Sequence, residues 1–210
     1  MLSFNKFLAE EKLKTTVMAF GRMNPPTAGH EKLVNKVKEV ADKHNGDHVV
    51  VLSHSQDTEK TKPAARKNPL SPEAKVTHAK NLFPGTNIKS SSKEHPTFLH
   101  QASELHKSGT EHLVMVAGSD RVDDYKEKLH QYNGQEGSHG HFNFKKISVV
   151  SAGARDPDAE GVEGMSASKM REHASTGNYG KFKEGLPGGT KEIHAKQLYN
   201  DVRKGMNIKD

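Results

Sequence analysis

Residues 15–53, TTVMAFGRMNPPTAGHEKLVNKVKEVADKHNGDHVVVLS, decide how this chain folds. Thr15 to Phe20 form an unbroken β-branched and apolar run that stops at Gly21, the pattern of a short buried strand. The next stretch, RMNPPTAGH, is too rich in proline and glycine to continue a strand, and it opens a helix. From His30 to Lys43 apolar residues return at Leu33, Val34, Val37, Val40 and Ala41 with polar residues opposite, which is one buried stripe at helical period. His48 to Ser53 is a second buried strand. Strand, tight loop, helix and strand together make the βαβ unit of a parallel sheet.

The alternation continues downstream. A polar loop from His54 to Asn68 has the length and charge of a binding loop. Ser71-Pro72-Glu73 starts a helix, with serine as N-cap, proline in the first turn and an acidic residue beside it. This helix runs to about Phe83, where Pro84-Gly85 stops it. Asn87 to Ser90 is a weak strand, Thr97 to Lys107 a helix, His112 to Ala117 a buried strand and Arg121 to Leu129 a helix. Tyr132 to His141 is a glycine-rich excursion, and Lys146 to Val150 is a fifth strand. Helices are predicted over 166–174, 179–184 and 190–204. The expected fold is therefore α/β and Rossmann-like: a doubly wound, parallel, five-stranded sheet with a helical C-terminal tail. Residues 1–14 are read as an amphipathic leader, 15–187 as the main domain and 188–210 as the tail. In such sheets ligands sit at the carboxyl ends of the strands, near the point where the strand order reverses.

Composition narrows the function. Apolar residues make up 32% of the chain and charged residues 28%, with both signs mixed, which fits one folded domain with an economical core. The net charge of +6 favours anions, and nucleotides satisfy that as well as nucleic acid does. No zinc-finger, RNP or basic-zipper pattern accompanies the charge, so nucleic acid is not the expected partner. Cysteine is absent, which removes disulfides, thiolate catalysis and cysteine-ligated zinc. No run approaches the roughly 20 apolar residues of a membrane span, and the opening MLSFNKFLAEEKLK lacks a signal-peptide core, so a cytoplasmic location is expected. The 14 histidines are scattered, and no protein-held metal site is expected. Gly137-Ser138-His139-Gly140-His141 reads as incidental exposure in a glycine-rich loop.

Two segments carry chemistry. The first is Gly21-Arg22-Met23-Asn24-Pro25-Pro26-Thr27-Ala28-Gly29-His30, which leaves the first strand and opens the first helix. Amides at a helix N-terminus point outward, and the helix dipole favours phosphate there. Gly29 allows close approach of a ligand, while Thr27 and His30 offer hydrogen bonds. Alone, the stretch equally describes a strand-to-helix turn capped by Thr27. The second is Gly164-Met165-Ser166-Ala167-Ser168-Lys169-Met170-Arg171. Ser166 would cap a helix, and Ser168 and Arg171 fall on one helical face three residues apart. Alone, this too is an ordinary capped helix.

Together, in this order and spacing, the two segments resemble the signatures of the nucleotidylyltransferase superfamily, also called cytidylyltransferase-like. Thr27-x-Gly29-His30 is similar to its H/T-x-G-H motif, with threonine in place of the first histidine. Ser166-x-Ser168-x-x-Arg171 is similar to its I-S-x-T-x-x-R motif, with Met165 for isoleucine and Ser168 for threonine. Asn68-Pro69-Leu70-Ser71 resembles a segment of nicotinamide-mononucleotide adenylyltransferases, and Gly118-Ser119-Asp120-Arg121 resembles the family's G-x-D loop. Gly177, Lys181, Phe182, Leu186 and Pro187 look like its helical end.

The resemblance implies in-line transfer of AMP from ATP to a phosphate-bearing acceptor, with nicotinamide mononucleotide first among acceptors, a product of NAD and pyrophosphate released. His30, Thr27 and Arg171 would be catalytic, with His30 on the α-phosphate oxygen. Gly21, Arg22, Gly29, Gly118, Asp120, Ser166, Ser168 and Lys169 would bind the nucleotide. Mg²⁺ would arrive on the triphosphate, held by substrate and water. A homo-oligomer is expected. A cytidylyltransferase making a CDP-alcohol is the alternative. Aromatic partners for a base are not identifiable from sequence beyond Phe20, Tyr125 and Phe142. The leader Ser3-Phe4-x-x-Phe7-Leu8-x-Glu10 resembles N-terminal segments of tailed-bacteriophage proteins, which leaves a phage enzyme or a virion or binding protein on the same fold as further readings.

Overall fold

The structure, a computed structural model, describes residues 13–57, 66–154 and 166–208. Residues 1–12 of the leader, Gly164 and Met165 lie outside the described residues. Five parallel strands form the main sheet: β1 (Thr15–Gly21), β2 (Asp47–Leu52), β3 (Ile88–Ser90), β4 (His112–Ala117) and β7 (Lys146–Ser151), in the order β3-β2-β1-β4-β7. The chain thus steps outward from β1 to β3, then returns to pair β4 on the other side of β1. The strand order reverses between β1 and β4, and a crevice opens there at the carboxyl ends.

Alternation along the strands divides the core into two layers, because successive side chains point to opposite faces. Val17, Ala19, Val50, Leu52, Val114 and Val116 meet α1 (Ala28–His44) and α2 (Pro72–Leu82) on one face. Met18, Val49, Val51, Leu113, Met115 and Ala117 meet α3 (Phe98–Lys107) and α4 (Val122–Tyr132) on the other. The helices after the sheet are α5 (Ala167–Ser175), α6 (Tyr179–Glu184) and α7 (Glu192–Gly205), and they cover the first face. Ala195, Leu198 and Val202 of α7 are fully buried in that layer. Its last turn rests on Pro69 so closely that a Cβ at Gly205 would overlap the Pro69 carbonyl, while Arg66 Nη1 donates to the Gly205 carbonyl at 2.6 Å.

Element boundaries differ from the sequence reading in local ways. α1 starts at Ala28, with Thr27 as N-cap, two residues before the His30 start that the sequence suggests. α4 begins after a 3₁₀ turn, Ser119–Arg121. The glycine-rich excursion contains a minimal antiparallel hairpin, β5 (Glu136–Gly137) with β6 (Gly140–His141), which delivers Phe142 and Phe144 into the second layer. Two-residue strands are too short to show a period. No helix among the described residues is long and apolar enough to cross a membrane.

At the amino end of β4, the buried His112 ties three strands together. Its Nδ1 meets Thr15 Oγ1 at 3.3 Å and its Nε2 meets Ser148 Oγ at 2.9 Å. Thr15 Oγ1 already donates to the Leu13 carbonyl, so Nδ1 donates to it and Ser148 donates to Nε2, a set that needs a neutral ring. Burial, with Lys146 and His44 adding to it, pushes the pKa of His112 from 6.5 down to about 4. In the unfolded chain the ring titrates near 6.5, so between that pH and about 4 the unfolded state binds the extra proton and stability falls as pH drops. Thermal unfolding across this window should show that fall in the wild type and a flatter profile for His112→Gln.

Candidate functional site

The carboxyl ends of β1, β2 and β4 open into one cavity of about 630 Å³. The first turns of α1 and α5 form its wall on one side of the sheet, and the start of α3 with α4 forms the other. His30 stands on this wall, 7% exposed. The Thr27 amide donates to His30 Nδ1 at 3.0 Å, and Thr27 Oγ1 lies 2.9 Å from the same nitrogen. A ring nitrogen that accepts from an amide carries no proton, so the proton of His30 is on Nε2 and that atom is a donor. The ring closes back on the helix cap, which fixes its orientation. Two of the first three amides of α1 are engaged: Ala28 with the Gly185 carbonyl at 2.9 Å and His30 with the Thr27 carbonyl at 3.0 Å.

On the same side of the sheet, Ser166 Oγ accepts from the Lys169 amide at 3.2 Å and caps α5. Arg171, one turn on, is half-buried and splits its fork. Nη2 donates to Ser168 Oγ at 3.0 Å, and Nη1 donates to the main-chain carbonyl of Asn24 at 2.7 Å. Asn24 is itself 2% exposed and clasps Leu70, donating from Nδ2 to its carbonyl at 3.1 Å and accepting from its amide at 3.0 Å. The loop after β1 is thereby bonded to the segment before α2 and to α5. Met23 supports the turn with a left-handed φ of 42° and a buried side chain.

Positive charge gathers here. Burial pulls the Arg171 pKa below its ordinary value, Arg22 adds to that, and Asp57 opposes it. Lys75 on α2 is completely buried, and its Nζ donates to the carbonyls of Ser53 and Ser55 just beyond β2. Burial, then Arg22, bring its pKa down to about 8. A buried and a half-buried cation thus lie in the field of the same exposed guanidinium, an arrangement that attracts anions.

A cytidylyltransferase-like family model matches residues 18–173, most of the chain, from the middle of β1 into α5. The chain belongs to the cytidylyltransferase-like family. No curated protein matches it significantly in sequence. Among solved structures it resembles Thermotoga maritima TmcAL bound with alpha-thio ATP, with a TM-score of 0.53 and 11% identity over 91% of this chain. A macrolide-efflux protein from Streptococcus pneumoniae aligns with a TM-score of 0.48 and 16% identity over 82% of this chain. The chain spans 57% and 55% of those two proteins, and its likeness to the first is one of fold.

Within this family member the cavity wall brings together Gly21, Arg22, Gly29 and His30 of the first motif, Ser166, Ser168 and Arg171 of the second, and Gly118 and Asp120 from the end of β4. Thr27 and Lys169 are not on its wall. Thr27 is 1% exposed, and its hydroxyl faces the His30 ring, so it orients the histidine instead of reaching a phosphate. Asp120 bends back over Gly118 and does not cap α4. Asn68 meets the Asp57 carboxylate, with its amide 2.6 Å from Oδ2, and lies off the cavity. Of the three aromatic residues, Phe20 and Tyr125 line the cavity, whereas Phe142 is fully buried in the core beneath the hairpin. Phe98 is an addition, with its ring 4.5 Å from that of Tyr125 on the cavity wall. Asn24, Lys75 and Phe98 lack a sequence signal of their own. Asn24 works through its backbone, and the other two look like ordinary helix residues. No group of three or more His, Asp or Glu side chains among the described residues is placed to hold a metal ion.

Arg171→Lys tests the fork. Lysine keeps the charge but cannot serve Asn24 and Ser168 in two fixed directions. Calorimetric titration with Mg²⁺-ATP should show affinity lowered by about tenfold, the scale of a lost charge-assisted hydrogen bond. The melting temperature should fall by a few degrees, on the order of one lost buried hydrogen bond, with the protein still folded.

Proposed function

We propose that this chain is a nucleotidyltransferase that moves AMP from ATP onto a phosphate-bearing acceptor and releases pyrophosphate. The observation that carries this reading is the arrangement of His30, whose proton is fixed on Nε2 by Thr27, within one cavity that also holds the Arg171–Ser168 pair. A transferring α-phosphate gains charge on its non-bridging oxygens, and a pre-oriented donor meets that charge without reorganisation. Arg171 and the first turn of α5 meet the charge that collects on the leaving pyrophosphate.

In this reading an oxygen of the acceptor phosphate attacks the α-phosphorus in line. One P–O bond forms, the bond to the β-bridging oxygen breaks, and pyrophosphate departs with its electron pair. No protein nucleophile takes part; the protein contributes positioning and electrostatics. The donor set fits a Mg²⁺ ion carried in by the nucleotide: Asp120 is an exposed carboxylate on the wall, with Asp124 near it, and phosphate and water would complete the shell. The ion would neutralise triphosphate charge.

ATP is favoured as the nucleotide because the Thermotoga maritima protein of the same fold holds an ATP analogue. CTP is the second reading, favoured by the family's description. Nicotinamide mononucleotide is the first acceptor to test. Its planar ring suits the Phe98–Tyr125 shelf, and the Asn68–Ser71 motif resembles that branch of the family.

The test is pyrophosphate release by purified protein with Mg²⁺, crossing ATP and CTP with nicotinamide mononucleotide, nicotinate mononucleotide, phosphopantetheine and glycerol 3-phosphate. One pair should turn over, and His30→Ala should lower its rate by at least about a hundredfold while the protein remains folded. Silence across the grid from protein that binds neither nucleotide would sink the proposal.

A further inference from the structure

Asp57 and Asn68 stand at the two ends of the polar loop, and the proposed reaction leaves both unused. Their bonding is reciprocal. The Asp57 amide donates to the Asn68 carbonyl at 3.0 Å, and the Asn68 amide donates back to Asp57 Oδ2 at 2.6 Å. Asn68 Nδ2 reaches Asp57 Oδ1 at 3.4 Å. Closing a loop in this way does not need a charge, since a neutral acceptor takes the same amide. Among the described residues Asp57 also forms no ion pair, so its charge is not spent on an adjacent cation.

That charge has a defined place. Two residues beyond Asn68, the Leu70 backbone is gripped by the Asn24 side chain, and the Asn24 carbonyl takes Arg171 Nη1. A continuous line of bonds therefore runs from the Asp57 carboxylate to the guanidinium. Ser55 and Lys67, two residues before Asp57 and one before Asn68, line the cavity, whereas Asp57 and Asn68 do not. The half-buried carboxylate lies behind the wall, where it meets no ligand but its field still reaches. Burial and Arg22 draw the pKa of Arg171 down, and Asp57 draws it up. The same carboxylate that favours the guanidinium repels an anion laid against it.

We propose that Asp57 is a positioning residue that acts through Arg171: its negative charge, fixed behind the cavity wall by Asn68, holds down the affinity of the cleft for pyrophosphate, so that the leaving group departs after transfer. This rests on the nucleotidyltransferase reading. A guanidinium without an opposing charge would hold the triphosphate tightly and its product tightly as well, and slow product release limits turnover in many enzymes. Binding substrate and product alike more strongly adds nothing to the chemical step. A fixed negative charge one layer back weakens both without occupying the wall.

Asp57→Asn removes the charge and keeps the clasp. Its side-chain oxygen accepts from the Asn68 amide. Asn68 can turn its own side chain over, so that Oδ1, which lacks a partner among the described residues, accepts from the new NH₂ and one unpartnered atom replaces another. The full chain is titrated calorimetrically with Mg²⁺-pyrophosphate and with Mg²⁺ and α,β-methylene ATP, at about 0.05 M and about 0.5 M salt. Asp57→Asn should bind pyrophosphate about three- to tenfold more tightly than wild type at the lower salt, and the gain should shrink at the higher. A residue that only shaped the loop would lose affinity on substitution, so the sign separates the two roles. Asn68→Ala, which loosens the clasp and keeps the carboxylate, should bind no more tightly than wild type. Should Asp57→Asn not fold, Asp57→Ser carries the same expectation. Wild type that binds pyrophosphate, with the uncharged variant equal or weaker, overturns this role of Asp57 and leaves the nucleotidyltransferase reading standing; equal tightening in Asn68→Ala does the same. Wild type that binds neither ligand removes that reading and this role with it.

Discussion

The hydrogen bond from Arg171 to the Asn24 carbonyl joins residues 147 apart in sequence. Around it the cleft is organised. Asn24 belongs to the loop between β1 and α1, its side chain grips the Leu70 backbone, and Arg171 brings the first turn of α5 against both. A guanidinium that is half withdrawn from water needs its donors filled, and a main-chain carbonyl in a tight turn needs a donor. Each meets the other's requirement. The two halves of the family signature are therefore linked directly in the folded protein, and their relative position does not depend on the sheet alone.

The electrostatics follow from that geometry. Bringing α5 to the end of β1 places Arg171 near Arg22, and packing α2 under the end of β2 places Lys75 near Arg22 as well. Asp57 is the carboxylate that opposes Arg171. The cleft carries a surplus of positive charge in a partly desolvated setting, where charges act more strongly than in water. The helices of this fold supply most of that field with side chains, since two of the first three amides of α1 are already bonded.

Much of this was legible before any coordinates. The run Thr15 to Phe20 and the stripe from Leu33 to Ala41 read as strand and helix because burial is periodic, and period survives in one dimension. Thr27, Gly29, His30, Ser168 and Arg171 were legible because their spacing within each segment is short. What stayed hidden depends on contacts between distant segments. Nothing in the residues around Asn24 announces that its carbonyl faces a side chain from α5. Lys75 sits where a helical lysine would ordinarily reach solvent, and its burial follows from how α2 lies on β2. The residue types at Thr27 and His30 are legible in the sequence, but that the His30 ring closes back over the cap and meets the Thr27 hydroxyl is not.

The contact between Gly205 and Pro69 extends this linkage to the far end of the described chain. α7 ends against the backbone of the segment whose next residue, Leu70, is held by Asn24. A helix that contributes nothing to the cleft wall thus sets the position of the segment that the loop after β1 grips. Evolution would therefore read an exchange at Gly205 as a change in the cleft, and a lineage that lengthened or redirected α7 would have to retune the loop after β1 to match. The tolerance usual for peripheral helices does not extend to this one.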